Sequence, residues 1–192
     1  NHEIGVYKKS MSANSWELYN ENLPNTTMME LEVVYGSNTL RGTTWGRGVW
    51  EYSLVGRENY PSIRTTTISN QPTDTQPKEG LEQFVTSTIE FDGDLSSVYV
   101  EWSTQSESDI IQMSSSGNDV WISNSAIPNF EAGTKVFFKV FAESNEGQVS
   151  ETYRFMYEVR ANVLCTPFMN CDYNDGFQLF QLQDIDNTSR FN

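Results

Sequence analysis

Apolar and polar positions alternate with a period of two through much of the chain. Val98, Val100 and Trp102 alternate with Tyr99 and Glu101. Val136, Phe138, Val140 and Ala142 alternate with Phe137, Lys139 and Phe141, and Tyr153, Phe155, Tyr157 and Val159 fall on one face. That period places successive side chains on opposite faces of a strand, so each segment predicts a half-buried β-strand. Residues 84–91 form a β-rich run, Asp92-Gly93-Asp94 reads as a turn, and Asn145-Glu146-Gly147 reads as another. Ile110-Ile111-Gln112-Met113 and Val120-Trp121-Ile122 predict short strands separated by residues 114–119. No helical period appears. About seven strands at regular intervals predict a packed antiparallel β-sandwich over residues 58–160.

The flanks are β-rich but short of strands. Residues 1–57 contain Ile4 to Lys8, a turn at residues 10–15, Trp16 to Tyr19, and a break at Asn22-Leu23-Pro24-Asn25. Met29, Leu31 and Val33 then alternate with Glu30, Glu32 and Val34, followed by a Gly36-Ser37-Asn38 turn, residues 40–45, Gly46-Arg47-Gly48 and residues 49–52. Residues 58–77 read as a linker or leading strand, with residues 63–68 as a first edge strand and a boundary near Arg57 to Ser62. Residues 161–192 open with Cys165-Thr166-Pro167 and hold Leu179, Phe180, Leu182 and Ile185. Both flanks have too few strands to satisfy their own backbone amides and carbonyls, so the expectation is a piece of a longer protein whose other parts supply neighbours.

Composition narrows the function classes. The 192 residues are 37% hydrophobic and 13% aromatic, which favours sheet and permits one sizeable core. A formal charge of −14 argues against nucleic acid, whose binding needs Lys and Arg to displace counterions. No run of about 18 apolar residues occurs, so no membrane-spanning helix and no membrane insertion are expected. The spacing of Cys165 and Cys171 suits zinc poorly, and a local disulfide is the preferred reading. That implies an oxidising, extracellular compartment.

Three resemblances follow from particular residues. Trp16, Asn22-Leu23-Pro24 and Thr43-Thr44-Trp45-Gly46-Arg47-Gly48-Val49-Trp50 make residues 1–57 resemble the terminal blade strands of an Asp-box (sialidase- or sortilin-like) β-propeller. The box itself departs from the family, since Ser10-Met11-Ser12-Ala13-Asn14-Ser15-Trp16 lacks its Asp and Gly. Residues 97–102, 127–134, 135–142 and 145–147 make the middle of the chain resemble the immunoglobulin-like and fibronectin type III-like sandwiches of bacterial extracellular proteins. Cys165, Cys171, Tyr173-Asn174-Asp175-Gly176 and Phe180-Gln181-Leu182 make residues 161–192 resemble the opening of a GEVED module, truncated after its first strands. Together these resemblances imply a cell-surface or secreted protein exported by the bacterial type nine route.

Candidate chemistry is sparse. The single histidine, His2, has no nucleophile motif beside it. Glu30, Glu32 and Glu51 are the carboxylates that a propeller glycosidase would draw on, and solvent-facing positions are expected for them. Asp92 and Asp94 form one candidate calcium pair, although Asp-Gly is also an ordinary hairpin signal and the plain turn is preferred. Asp172, Asn174 and Asp175, with Asp184 and Asp186 as helpers, form a second candidate. No other cofactor is expected. Trp45, Trp50, Trp102 and Trp121 are candidate sugar platforms, with Trp102 in core register. Asn25 and Asn187 match the N-glycosylation pattern. The leading expectation is a non-catalytic structural and adhesive segment whose partners are other modules or chains of the same surface assembly. The rivals are an accessory region of a secreted glycosidase-like hydrolase, and a carbohydrate-binding module.

Overall fold

A computed structural model describes residues 5–19, 23, 26–69, 77–161 and 180–182, the last three by backbone alone. Among these residues every regular element is a strand. The first five are β1 (Tyr7–Lys8), β2 (Glu17–Leu18), β3 (Met28–Val34), β4 (Thr39–Thr44) and β5 (Gly48–Ser53). They are followed by β6 (Ser62–Ile68), β7 (Val85–Glu90), β8 (Leu95–Ser103), β9 (Ser108–Gly117) and β10 (Val120–Ser123). The last four are β11 (Lys135–Ser144), β12 (Val149–Glu151), β13 (Arg154–Glu158) and β14 (Phe180–Leu182).

The largest sheet runs in the order β14-β13-β11-β8-β9-β10-β7-β6, with β12 also paired to β11. It curls into a nearly closed, barrel-like body. β9 makes the turn of the corner. Its first half pairs with β8, from Ser108 opposite Ser103 to Gln112 opposite Tyr99, and its second half pairs with β10, from Met113 opposite Ser123 to Gly117 opposite Val120. Inside lie the alternating residues expected from the sequence: Val98, Val100 and Trp102 of β8, and Val136, Phe138, Val140 and Ala142 of β11. Phe155 and Tyr157 of β13 join them, as do Ile63, Ile68, Val85, Ile89, Ile111, Met113 and Ile127. Phe138 stacks on Phe155 at 5.1 Å, so aromatic rings fill the centre.

Two local details differ from the expected pattern. Residues 114–117 belong to strand β9 rather than to a long connection, because the reversal needs little more than Gly117, Asn118 and Asp119. All three take positive φ (89°, 51° and 62°), the left-handed conformation that Gly and Asn tolerate best. β12 and β13 are one strand interrupted at Thr152-Tyr153. There the Thr152 N–H donates to the Val140 carbonyl at 2.9 Å, and the Thr152 hydroxyl accepts the Val140 N–H at 3.0 Å, replacing the ladder bond lost at the break.

β3, β4 and β5 form a separate three-stranded antiparallel sheet, and β1 and β2 pair as a short hairpin. The small sheet sits against the open seam of the barrel, where β6 approaches β12.

Candidate interaction surface

The register of the small sheet sorts its side chains onto two unlike faces. One face carries Glu32, Arg41 and Glu51 in a row, and it looks towards the barrel. Arg41 pairs with Glu51 at 2.8 Å, Glu51 with Arg64 of β6 at 3.6 Å, and Arg64 with Glu90 of β7 at 2.7 Å. The other face is apolar, with Met28, Leu31, Val33, Leu40, Trp50 and Tyr52 in alternate rows. Gly42 lies in the middle of that face beneath Met28 and Leu31. A Cβ there would meet the Met28 methyl, and it would stand 3.3 Å from Leu31 Cδ2. This face is incompletely covered: Leu31 is 48% exposed, and the neighbouring hairpin tip leaves Trp45 72% exposed. Trp50 is held at the rim by donation from its indole N–H to the Arg47 carbonyl at 3.0 Å.

Two tyrosines cap the sheet's outer edges. The Tyr153 hydroxyl donates to the Val33 carbonyl of β3 at 2.9 Å, and the Tyr19 hydroxyl donates to the Ser53 carbonyl of β5 at 3.1 Å. Burial, then the Glu32 carboxylate, pushes the Tyr153 hydroxyl well above the ordinary tyrosine range. Tyr19 also packs edge-on against Tyr52 at 4.9 Å, and Lys8 lies over the Tyr19 ring at 4.7 Å, which seats the β1–β2 hairpin beside β5.

The expected site residues scatter. Asp92 and Asp94 are exposed in the β7–β8 turn, and the Asp94 carbonyl accepts the Asn145 N–H at 3.1 Å. Among the described residues no three His, Cys, Asp or Glu side chains group as a metal site. Asp172, Asn174, Asp175, Asp184, Asp186, Cys165, Cys171, His2, Asn25 and Asn187 lie outside the described residues. Of the carboxylates on the small sheet, Glu51 is taken up in the ion pairs above, Glu32 faces Tyr153, and Glu30 is exposed. Trp102 is core, Trp121 packs against the core, and Trp45 and Trp50 are surface residues of the small sheet.

A shallow groove of about 770 Å³ crosses the outer face of β8, β9 and β11. Phe141 lines it and stacks on Tyr99 at 5.0 Å with nearly parallel rings. Arg154 lies over Phe137 at 5.1 Å, and Lys139 pairs with Glu151 at 3.4 Å.

Residues that sequence reasoning passed over hold the junction together. Gly36, Ser37, Asn38 and Thr39 are all buried, and Arg57 reaches from the end of the small sheet to the barrel. The only visible signal was the Gly36-Ser37-Asn38 turn, and nothing in its spelling says that the turn is buried.

No family model matches the chain, and no curated protein matches it.

Proposed function

We propose that this chain is a non-catalytic structural and presenting segment of a larger extracellular or cell-surface protein. Its barrel acts as an immunoglobulin-like or fibronectin III-like spacer, and its small sheet is a propeller-type blade that meets another module of the same assembly. The sandwich reading is supported by the strand order. β6, β7 and β10 lie side by side, β8, β11 and β12–β13 lie side by side, and β9 passes from one group to the other.

The observation that carries the functional reading is the incompletely covered apolar face of Met28, Leu31, Val33, Leu40, Trp50 and Tyr52, on which Leu31 and Trp50 are exposed and the other four half-buried. Apolar side chains left part-exposed side by side on a sheet face offer a place where a partner can exclude water. Three strands at about 4.8 Å spacing and some six residues of about 3.3 Å rise give a face on the order of 300 Å². That falls short of the roughly 800 Å² per partner that a stable dimer buries. A partner held nearby by the same polypeptide or assembly suits such a face better than a freely diffusing second copy.

Hydrogen exchange tests this reading. Amides of Met28–Val34 and Gly48–Ser53 should be more protected in the intact source protein than in the 192-residue chain alone. Equal protection in the two would overturn it. The groove over Phe137 and Phe141 favours a second reading, a carbohydrate-binding module, because aromatic rings flanked by Lys139, Glu151 and Arg154 offer both apolar contact and hydrogen bonds to a sugar. Binding on a glycan array that is lost in Phe141→Ala would support this reading, and an array with no positive spot would remove it.

A further inference from the structure

We propose that residues 36–39 are a plug that closes the seam of the barrel, so that the small sheet and the barrel move and unfold as one body. This inference does not depend on the functional reading above. On the β6 side of the seam, the Ile63 N–H donates to the Gly36 carbonyl at 2.8 Å, and the Ser62 hydroxyl donates to the Ser37 carbonyl at 3.1 Å. The β12 side closes tightly on Gly36, where a Cβ would stand 3.0 Å from the Glu151 carbonyl oxygen and 3.3 Å from Thr152 Cα. The turn therefore fills the gap between β6 and the β12 half of the interrupted strand.

Asn38 and Arg57 lock the plug in place. Asn38 takes a left-handed φ of 54°, which aims its side-chain amide at the Pro61 and Tyr60 carbonyls, 2.7 Å and 3.2 Å away. Its own carbonyl accepts the Leu54 N–H at 2.8 Å. Arg57 Nε donates to Asn38 Oδ1 at 2.7 Å, and Nη2 donates to the Val149 carbonyl at 3.2 Å and Ser150 Oγ at 3.3 Å. The guanidinium also lies 3.8 Å from the centre of the Tyr60 ring. One arginine thus bridges the small sheet, the segment before β6, and β12. A shift of one body against the other that keeps the seam dry would leave these polar groups unpaired, which is costly for each of them, and full separation would break all of these bonds at once. A load or a partner taken up by the small sheet is therefore passed into β6 and β12, not into a loose tether.

Gly36 permits a clean test because its φ lies outside the left-handed region, so alanine suits its backbone and only the seam resists the methyl group. Hydrogen exchange is measured on the whole chain carrying Gly36→Ala and, separately, Arg57→Lys. Each variant should speed exchange about tenfold at Leu54, at Ile63 and at Thr152 of the β12 side together, the factor expected for one lost buried hydrogen bond. Amides in the middle of β8 and β11 should keep their native rates. Faster exchange confined to residues 35–39 and Leu54, with Thr152 unmoved, would overturn the proposal. Arg57→Lys keeps the charge and adds no bulk, so it decides the matter if Gly36→Ala does not fold.

Discussion

Two buried donors stand out in an otherwise apolar core. Trp102 Nε1 and the Tyr157 hydroxyl have no hydrogen-bond partner among the described residues, although both side chains are buried beside Phe138. An unpaired buried hydroxyl loses its water bonds and gains nothing in return. Tyr157→Phe is therefore expected to leave stability at neutral pH unchanged or to raise it by up to about 1 kcal/mol, read from urea denaturation. The same residue governs alkaline behaviour. Burial pushes the Tyr157 hydroxyl far above the ordinary value of 10.0. An unfolded chain releases that proton near its ordinary value while the folded chain keeps it. Stability is thus full below the unfolded value and falls as pH rises beyond it. Midpoints measured at about pH 8 and about pH 10.5 should converge in Tyr157→Phe relative to the unsubstituted chain. An unchanged alkaline loss would assign the effect to other tyrosines, of which Tyr153 is the first candidate because it is raised in the same direction.

Where a strand loses its partner in this protein, a side chain stands in for the backbone. At the β12–β13 break the Val140 N–H, deep in the barrel, faces no carbonyl and is taken by the Thr152 hydroxyl at 3.0 Å. Thr152→Val keeps the shape and removes the acceptor, leaving a buried amide unpaired. A loss of about 1–3 kcal/mol is expected by chemical denaturation, with Thr152→Ser recovering much of it. If Thr152→Val is as stable as the native chain, the hydroxyl does not satisfy that amide. Ser96 serves a similar end at the start of β8, donating near the Glu143 and Ser144 carbonyls at 3.1 Å and 3.0 Å. These substitutions for ladder bonds keep β11 hydrogen-bonded while its partner strand changes course.

Over the whole molecule, charge and surface ion pairs pull in opposite directions. The chain Arg41–Glu51–Arg64–Glu90 ties the small sheet to β6 and β7, but its side chains are more than a third exposed and solvent weakens each pair. A net charge of −14 on 192 residues repels itself throughout the fold. Salt screens both effects, and the distributed repulsion is the larger for so acidic a chain. Calorimetry should therefore show Tm rising as NaCl is raised to about 0.5 M. A falling Tm would show that the ion pairs outweigh the repulsion. In either case, a plugged seam requires one cooperative transition for barrel and small sheet, not two.

The period-two pattern determined the central strands of the barrel and their inward residues. Val98, Val100, Trp102, Val136, Phe138, Val140, Phe155 and Tyr157 point into the core because alternation leaves each strand a single apolar face to bury. Local turn chemistry was also legible, as in Asn145-Glu146-Gly147, where Gly147 takes a φ of 84°. Which edges meet was not legible. Gly36, Asn38 and Arg57 gain their meaning from Glu151, Ser150 and Val149, more than ninety positions away in the chain. Polar partners that far apart leave no periodic trace, since hydrogen bonds across a seam depend on where strands end in space and not on any spacing along the chain.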